Sequence, residues 1–87
     1  MPSVSIPALL QPLTGGCSSV EVEGATVRQV IENLERAFPG IREKLLDGGK
    51  LRRNLAVAID GEIAPLGLLE CVEPGSEIHF VAAVQGG

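Results

Sequence analysis

The apolar residues of this chain change period along its length, and each change marks an element. Val4, Ile6 and Ala8 alternate with Ser3, Ser5 and Pro7, the two-residue period of a strand with one buried face. Pro7 donates no ladder hydrogen bond, so this part of the strand is expected at an edge or a bulge. Leu9-Leu10-Gln11-Pro12-Leu13 leads into Thr14-Gly15-Gly16, which reads as a loop with turn chemistry. Val20 and Val22 then alternate with Glu21 and Glu23, predicting a second strand over 18–23. The two strands form an N-terminal hairpin with a long connection.

After Gly24-Ala25 the period becomes helical. Val27, Val30, Ile31, Leu34, Ala37 and Phe38 form one apolar face, with Arg28, Glu32, Glu35 and Arg36 on the other side. Thr26 reads as the N-cap, and Gln29 three residues later completes a capping box. Pro39-Gly40 ends the helix. Ile41 to Leu46 predicts one or two further helical turns, stopped by Asp47-Gly48-Gly49. Leu55, Val57 and Ile59 alternate with Ala56, Ala58 and Asp60 as a third strand. Asp60-Gly61 is a tight turn from which Glu62-Ile63 returns as a short strand. Pro65 to Val72 is a mixed apolar segment with a short helical turn, and Pro74-Gly75 is a turn. Ile78 to Val84 is the last strand, running into Gln85-Gly86-Gly87.

One long helix laid on such strands predicts an α+β roll with a half-open sheet. Ile78, Phe80 and Ala82 share one face of the last strand, with Phe80 aimed at the helix. His79, Val81 and Ala83 share the other, where apolar area around Val81 beside the chain end offers a docking surface. The expected division is a domain over 1–84 and a flexible tail over 85–87.

Composition narrows the function. At 87 residues there is one domain, able to bury roughly 60–65% of its unfolded surface. Phe38 and Phe80 are the two aromatics, so the core is built from Leu, Val, Ile and Ala, and a base-stacking nucleic-acid platform is disfavoured. A net charge of −4 gains nothing from a phosphate backbone but suits a basic protein surface. The chain start lacks the charged and apolar regions of a signal peptide, and no apolar run reaches the ~20 residues of a membrane span. The expectation is a soluble cytoplasmic protein that binds neither nucleic acid nor membrane.

Candidate side-chain chemistry is sparse. Cys17 and Cys71 form no CxxC, and with a single histidine no zinc site can be assembled from Cys and His. A disulfide between them is left open, beside the reading as two reduced thiols. As a sulfur relay, neither has an evident activating neighbour. His79 reads as a strand-surface residue, since no Ser, Cys or Asp partner is implied for a general base. Arg42, Lys44, Lys50, Arg52 and Arg53 form a basic cluster interrupted by Glu43 and Asp47, either a solvated ion-paired face or a partner site. Glu70, Glu73 and Glu77 either meet a basic partner or serve as solubilising surface. Without a nucleophile–base pair or a metal set, no catalytic residue is assigned and the chain is not expected to be an enzyme.

The Gly86-Gly87 end is different in kind. It places a carboxylate, ionised at neutral pH, on backbone without side chains, thin enough to thread a narrow active site. Such a carboxylate can attack a phosphate of ATP. Glycine pairs also occur at Gly15-Gly16 and Gly48-Gly49, so context must give this one its meaning.

That context is the run Val72-Glu73-Pro74-Gly75-Ser76-Glu77-Ile78, then Phe80-Val81, then Val84-Gln85-Gly86-Gly87. It resembles the ubiquitin-like β-grasp sulfur carriers of the MoaD/ThiS family, and the resemblance extends over essentially the whole chain. Val4-Ser5-Ile6-Pro7-Ala8-Leu9-Leu10, with Pro12 and Thr14-Gly15-Gly16, looks most like the CysO-type carriers of cysteine biosynthesis. The resemblance implies a β-grasp fold, a mixed sheet packed on one main helix. It implies that an E1-like enzyme with Mg and ATP adenylates Gly87 and that sulfur then displaces AMP, leaving a thiocarboxylate. Gly86 would be the clearance residue of the tail, and Phe80, Val81 and Val84 a partner-docking face. The chain itself would bind no cofactor. Implied partners are the E1-like adenylating and sulfurtransferase enzyme, a sulfur-accepting enzyme such as a PLP-dependent cysteine synthase, and a metalloprotease. The alternatives that stay open are a molybdopterin synthase small subunit, a ubiquitin-like protein modifier and an interaction domain whose Gly-Gly is incidental.

Overall fold

A computed structural model describes residues 1–82. Its elements are β1 (Ser3–Ser5), a 3-10 helix (Ala8–Thr14), β2 (Ser19–Glu21), α1 (Val27–Ala37), α2 (Ile41–Leu45), β3 (Leu46–Asp47) and β4 (Lys50–Leu51). They continue with β5 (Leu55–Ile59), β6 (Glu62–Ile63), a 3-10 turn (Gly67–Leu69) and β7 (Glu77–Ala82). The main sheet has the order β2-β1-β7-β5-β6. β1 and β7 are parallel, and the other neighbours are antiparallel. This is the mixed sheet on one main helix that the sequence predicts.

Pro7 does not mark an edge. β1 lies between β2 and β7, and Pro7 sits just beyond its last paired residue, Ser5. The missing N–H ends the strand there. Leu10 N then donates to Pro7 O at 2.8 Å and starts the 3-10 helix, so Ala8 is exposed rather than on a strand. The segment read as a loop is therefore helical up to Gly15, whose φ of 66° closes it.

The capping box forms with a shift of one residue. Gln29 N donates to Thr26 Oγ1 at 3.2 Å, while Gln29 Oε1 accepts from the N–H of Ala25, one residue before the cap. Val27, Val30, Ile31 and Leu34 are fully buried and join Val4, Val57 and Ile78 from the sheet. Ala37 is exposed, and Phe38 is half-buried where the helix ends. Gly24 brings the chain from β2 against α1. A Cβ placed there would lie 2.7 Å from Val30 Cγ2 and 2.8 Å from its backbone nitrogen.

Glu35 joins α1 to α2. Its carboxylate accepts from Arg42 N at 2.9 Å and Gly40 N at 3.1 Å. Those backbone donors, Arg42 first, hold its pKa below the usual carboxylate range. The sequence reads Asp47-Gly48-Gly49 only as a stop, but it is also a hairpin turn. Gly48 and Gly49 take φ of 61° and 81°, pairing Asp47 with Lys50 and Leu46 with Leu51. Asp60-Gly61 makes a similar turn between β5 and β6, with φ of 52° and 87°. Asp60 Oδ1 also accepts from Glu77 N, and Asp60 N donates to Glu77 O, both at 2.9 Å.

Candidate functional site

The strand that leads toward the chain end is the centre of the sheet. β7 pairs with β1 through Glu77, Ile78 and His79, and with β5 through Ile78 to Ala82. Pairing on both sides over the first half of β7 fixes its direction and register, and β5 alone carries the pairing on to Ala82. Val84, Gly86 and Gly87, named from the sequence, lie outside the described residues.

Alternation along β7 separates the proposed docking residues. Ile78 and Phe80 face α1, exposed by 0% and 8%. Phe80 is therefore core and offers a partner almost no surface. A residue adjacent to Val81 on a pleated strand points to the opposite side of the sheet. Val81 is half-buried on the outer face, together with exposed Glu77 and His79. The register adds Ser3 and Ser5 of β1 beside Glu77 and His79, and Ala56 and Ala58 of β5 beside Val81 and His79. This face is a shallow surface of small side chains around Val81, to which buried Ala58 adds little area. Ala56 and Ala58 were not assigned to it from sequence, although their alternation with Val57 and Ile59 carries that signal.

The other candidates do not converge on it. Cys17 and Cys71 are both free and exposed, which removes the disulfide left open by the sequence. Cys71 makes an isolated bridge with Thr26, and Cys17 O accepts from Thr14 Oγ1 at 2.8 Å. His79 is exposed between Ser5 and Ala58.

Arg42 and Arg52 of the basic cluster are engaged by their own surroundings. Arg42 pairs with Glu32, whose hydrogen bond raises the Arg42 pKa above its ordinary value. The Arg52 guanidinium donates to Glu43 O, with Nε at 3.1 Å. These are surface pairs of small energetic weight. Among the acidic residues, Glu70 accepts from Leu66 N at 3.1 Å, while Glu73 and Glu77 are exposed. Among the described residues, no three His, Cys, Asp or Glu side chains are placed to hold a metal ion. None of the helices there is long and apolar enough to cross a membrane.

Comparison with known proteins adds to this geometry. The sequence model of the ThiS family matches residues 4–87, which includes the final Gly-Gly. The sulfur carrier protein CysO of Mycobacterium tuberculosis is 38% identical over 90 residues, covering 98% of this chain and 97% of the relative. A chain in the crystal structure of the Amycolatopsis orientalis BexX/CysO complex superposes with a TM-score of 0.90 at 37% identity, covering all of both chains. SAMP1 from Haloferax volcanii, a small archaeal modifier protein, superposes with a TM-score of 0.73 at 28% identity, over 99% of this chain and 98% of the other.

Proposed function

This chain belongs to the ThiS family, and from that premise we propose that it is a sulfur carrier protein whose reactive group is the Gly87 carboxylate. The observation that carries the proposal is that the family match runs through the last strand to residue 87. The chain is a protein substrate of partner enzymes and not itself an enzyme.

The chemistry follows from the weakness of a carboxylate as an acceptor, because direct attack by sulfur would have to expel oxide. The Gly87 carboxylate attacks the α-phosphorus of ATP, pyrophosphate leaves, and an acyl adenylate forms. Sulfide then attacks the acyl carbon, AMP leaves, and the terminus is a thiocarboxylate; a persulfide donor instead leaves an acyl disulfide, which a second thiol cleaves to the thiocarboxylate and a disulfide. ATP and Mg are bound by the E1-like partner. This chain contributes the tail and the face that docks. Gly86 matters because a Cβ there would restrict the backbone conformations open to the tail and widen it. Around Val81, the outer face of β7 provides contact close to the chain's exit point.

CysO similarity over nearly the full chain favours delivery of sulfur for cysteine biosynthesis. The acceptor would be an activated serine on a PLP enzyme, with a metalloprotease releasing cysteine by hydrolysis and restoring the Gly87 carboxylate. That the Amycolatopsis relative is found in a complex supports action through protein partners. Reducing cytoplasm suits thiocarboxylate chemistry and two free thiols. The likeness to SAMP1 favours a second reading, in which the activated tail also forms isopeptide bonds on lysines.

Deleting Gly87 is expected to abolish ATP–pyrophosphate exchange by the cognate activating enzyme, and undiminished exchange would overturn the mechanism. Intact-mass spectrometry of the protein from its native cells separates the readings. A gain equal to replacing one oxygen by sulfur marks the carrier, and conjugates that survive reducing, denaturing gels mark the modifier.

A further inference from the structure

The sheet has a second surface of interest, remote from the tail. β2 is an edge strand, covered by β1 on one side only. Val22 N donates to Pro2 O and Ile6 N to Ser18 O, each within 2.9 Å, so the even-numbered residues of β2 carry the ladder to β1. By the alternation of an antiparallel pair, the backbone groups of Ser19 and Glu21 point away from the sheet. Neither makes a hydrogen bond on that side among the described residues. Beyond this edge lies a groove of about 320 Å³ between β2 and the C-terminal half of α1. Its apolar walls are Val20, Val22, Ala37, Phe38 and Met1, and Glu21 and Glu23 of the edge also line it. Asn33 Nδ2 closes one end by donating to Glu23 O at 2.8 Å.

We propose that this edge takes up an extended segment of a partner protein in which apolar and basic residues alternate. The argument is one of register. A strand added antiparallel to β2 places the residues opposite Val20 and Val22 on the helix side, over the groove. Residues opposite Glu21 and Glu23 fall on the other side, next to two exposed carboxylates. Apolar side chains fit the first set and Lys or Arg the second. The backbone groups of Ser19 and Glu21 supply the ladder, and the groove and the two glutamates supply the selection. A second copy of this chain does not satisfy the same rule. Its β2 places no basic side chain opposite Glu21 or Glu23, and each molecule carries a net charge of −4. β1 separates this edge from β7, so a partner held here leaves the outer face around Val81 free.

The test is amide NMR of the full chain with a blocked heptapeptide that alternates lysine and valine. Saturable shifts are expected at 19–23 and 33–38. A peptide alternating glutamate and valine is expected to bind at least about tenfold more weakly, and Glu21→Lys with Glu23→Lys to reverse that order. N-methylation of the lysine amides, the ones that face β2, should abolish the shifts on the native chain. Equal binding of the two peptides, shifts confined to β5 and β7, or unchanged binding of the N-methylated peptide would each overturn the proposal. So would a concentration-dependent dimer, measured by sedimentation, that competes with the lysine peptide.

Discussion

β7 and β2 are both strands of one sheet, yet they are held in opposite ways. β7 has six residues, neighbours on both sides, and two side chains, Ile78 and Phe80, pressed into the core. β2 has three residues, one neighbour, and a half-buried Val20. The difference assigns them different work. A strand locked on both sides over Glu77 to His79 has no ladder left to offer there. A strand locked on one side can still pair.

The largest expected effect would break this contrast at its firm end. Ile78→Ala removes a fully buried side chain from β7 and is expected to cost about 2–5 kcal/mol in urea denaturation. Val20→Ala on β2 should cost about 1 kcal/mol or less, since Val20 already keeps part of its surface in water. Equal costs would show that the edge is as constrained as the centre. Gly24→Ala comes next, because its Cβ would meet Val30 Cγ2 at 2.7 Å. A loss of about 1–3 kcal/mol is expected, with altered amide shifts at β2 and α1 and little change in β7. A neutral result would mean that the groove side yields easily.

The smallest effect concerns pH. Glu35 has a folded pKa below its unfolded one, so its contribution is present above the unfolded value and is lost as pH falls through the folded one. Glu35→Gln should therefore flatten the acid limb of the stability–pH curve, measured by denaturant midpoints, while leaving the limb above neutrality unchanged. Because Glu35 caps the start of α2 and touches neither strand, amide shifts in β2 and β7 should stay in place. An acid limb identical to that of the native chain would remove Glu35 from the account.

Legibility in the sequence follows how much local chemistry each element carries. α1 could be read because period, cap and stop agree over Thr26 to Gly40. The β3–β4 hairpin could not, because two-residue strands contain no period and only the φ of Gly48 and Gly49 reveals the turn. Pro7 misled for another reason. A proline shows that a ladder bond is missing at its own position, but says nothing about which strands flank the residues before it. The outer face of β7 was legible in part, since alternation puts Val81 opposite Phe80. Joining both to one docking surface set that alternation aside. The small residues that complete the face, Ser5, Ala56 and Ala58, come from strands whose pairing with β7 appears only once the chain is folded.

The parallel pairing of β1 with β7 has a mechanical consequence. Tension drawn between the start of β1 and the far end of β7 runs along both strands, in opposite directions, across their common ladder. The hydrogen bonds are then loaded in shear, all together, instead of being peeled apart one after another. The clamp of Asp60 on Glu77 adds resistance at the base of the same strand. An enzyme that grips the tail and pulls would meet a stiff body, and force–extension traces taken from the two ends should show one high peak and no early steps.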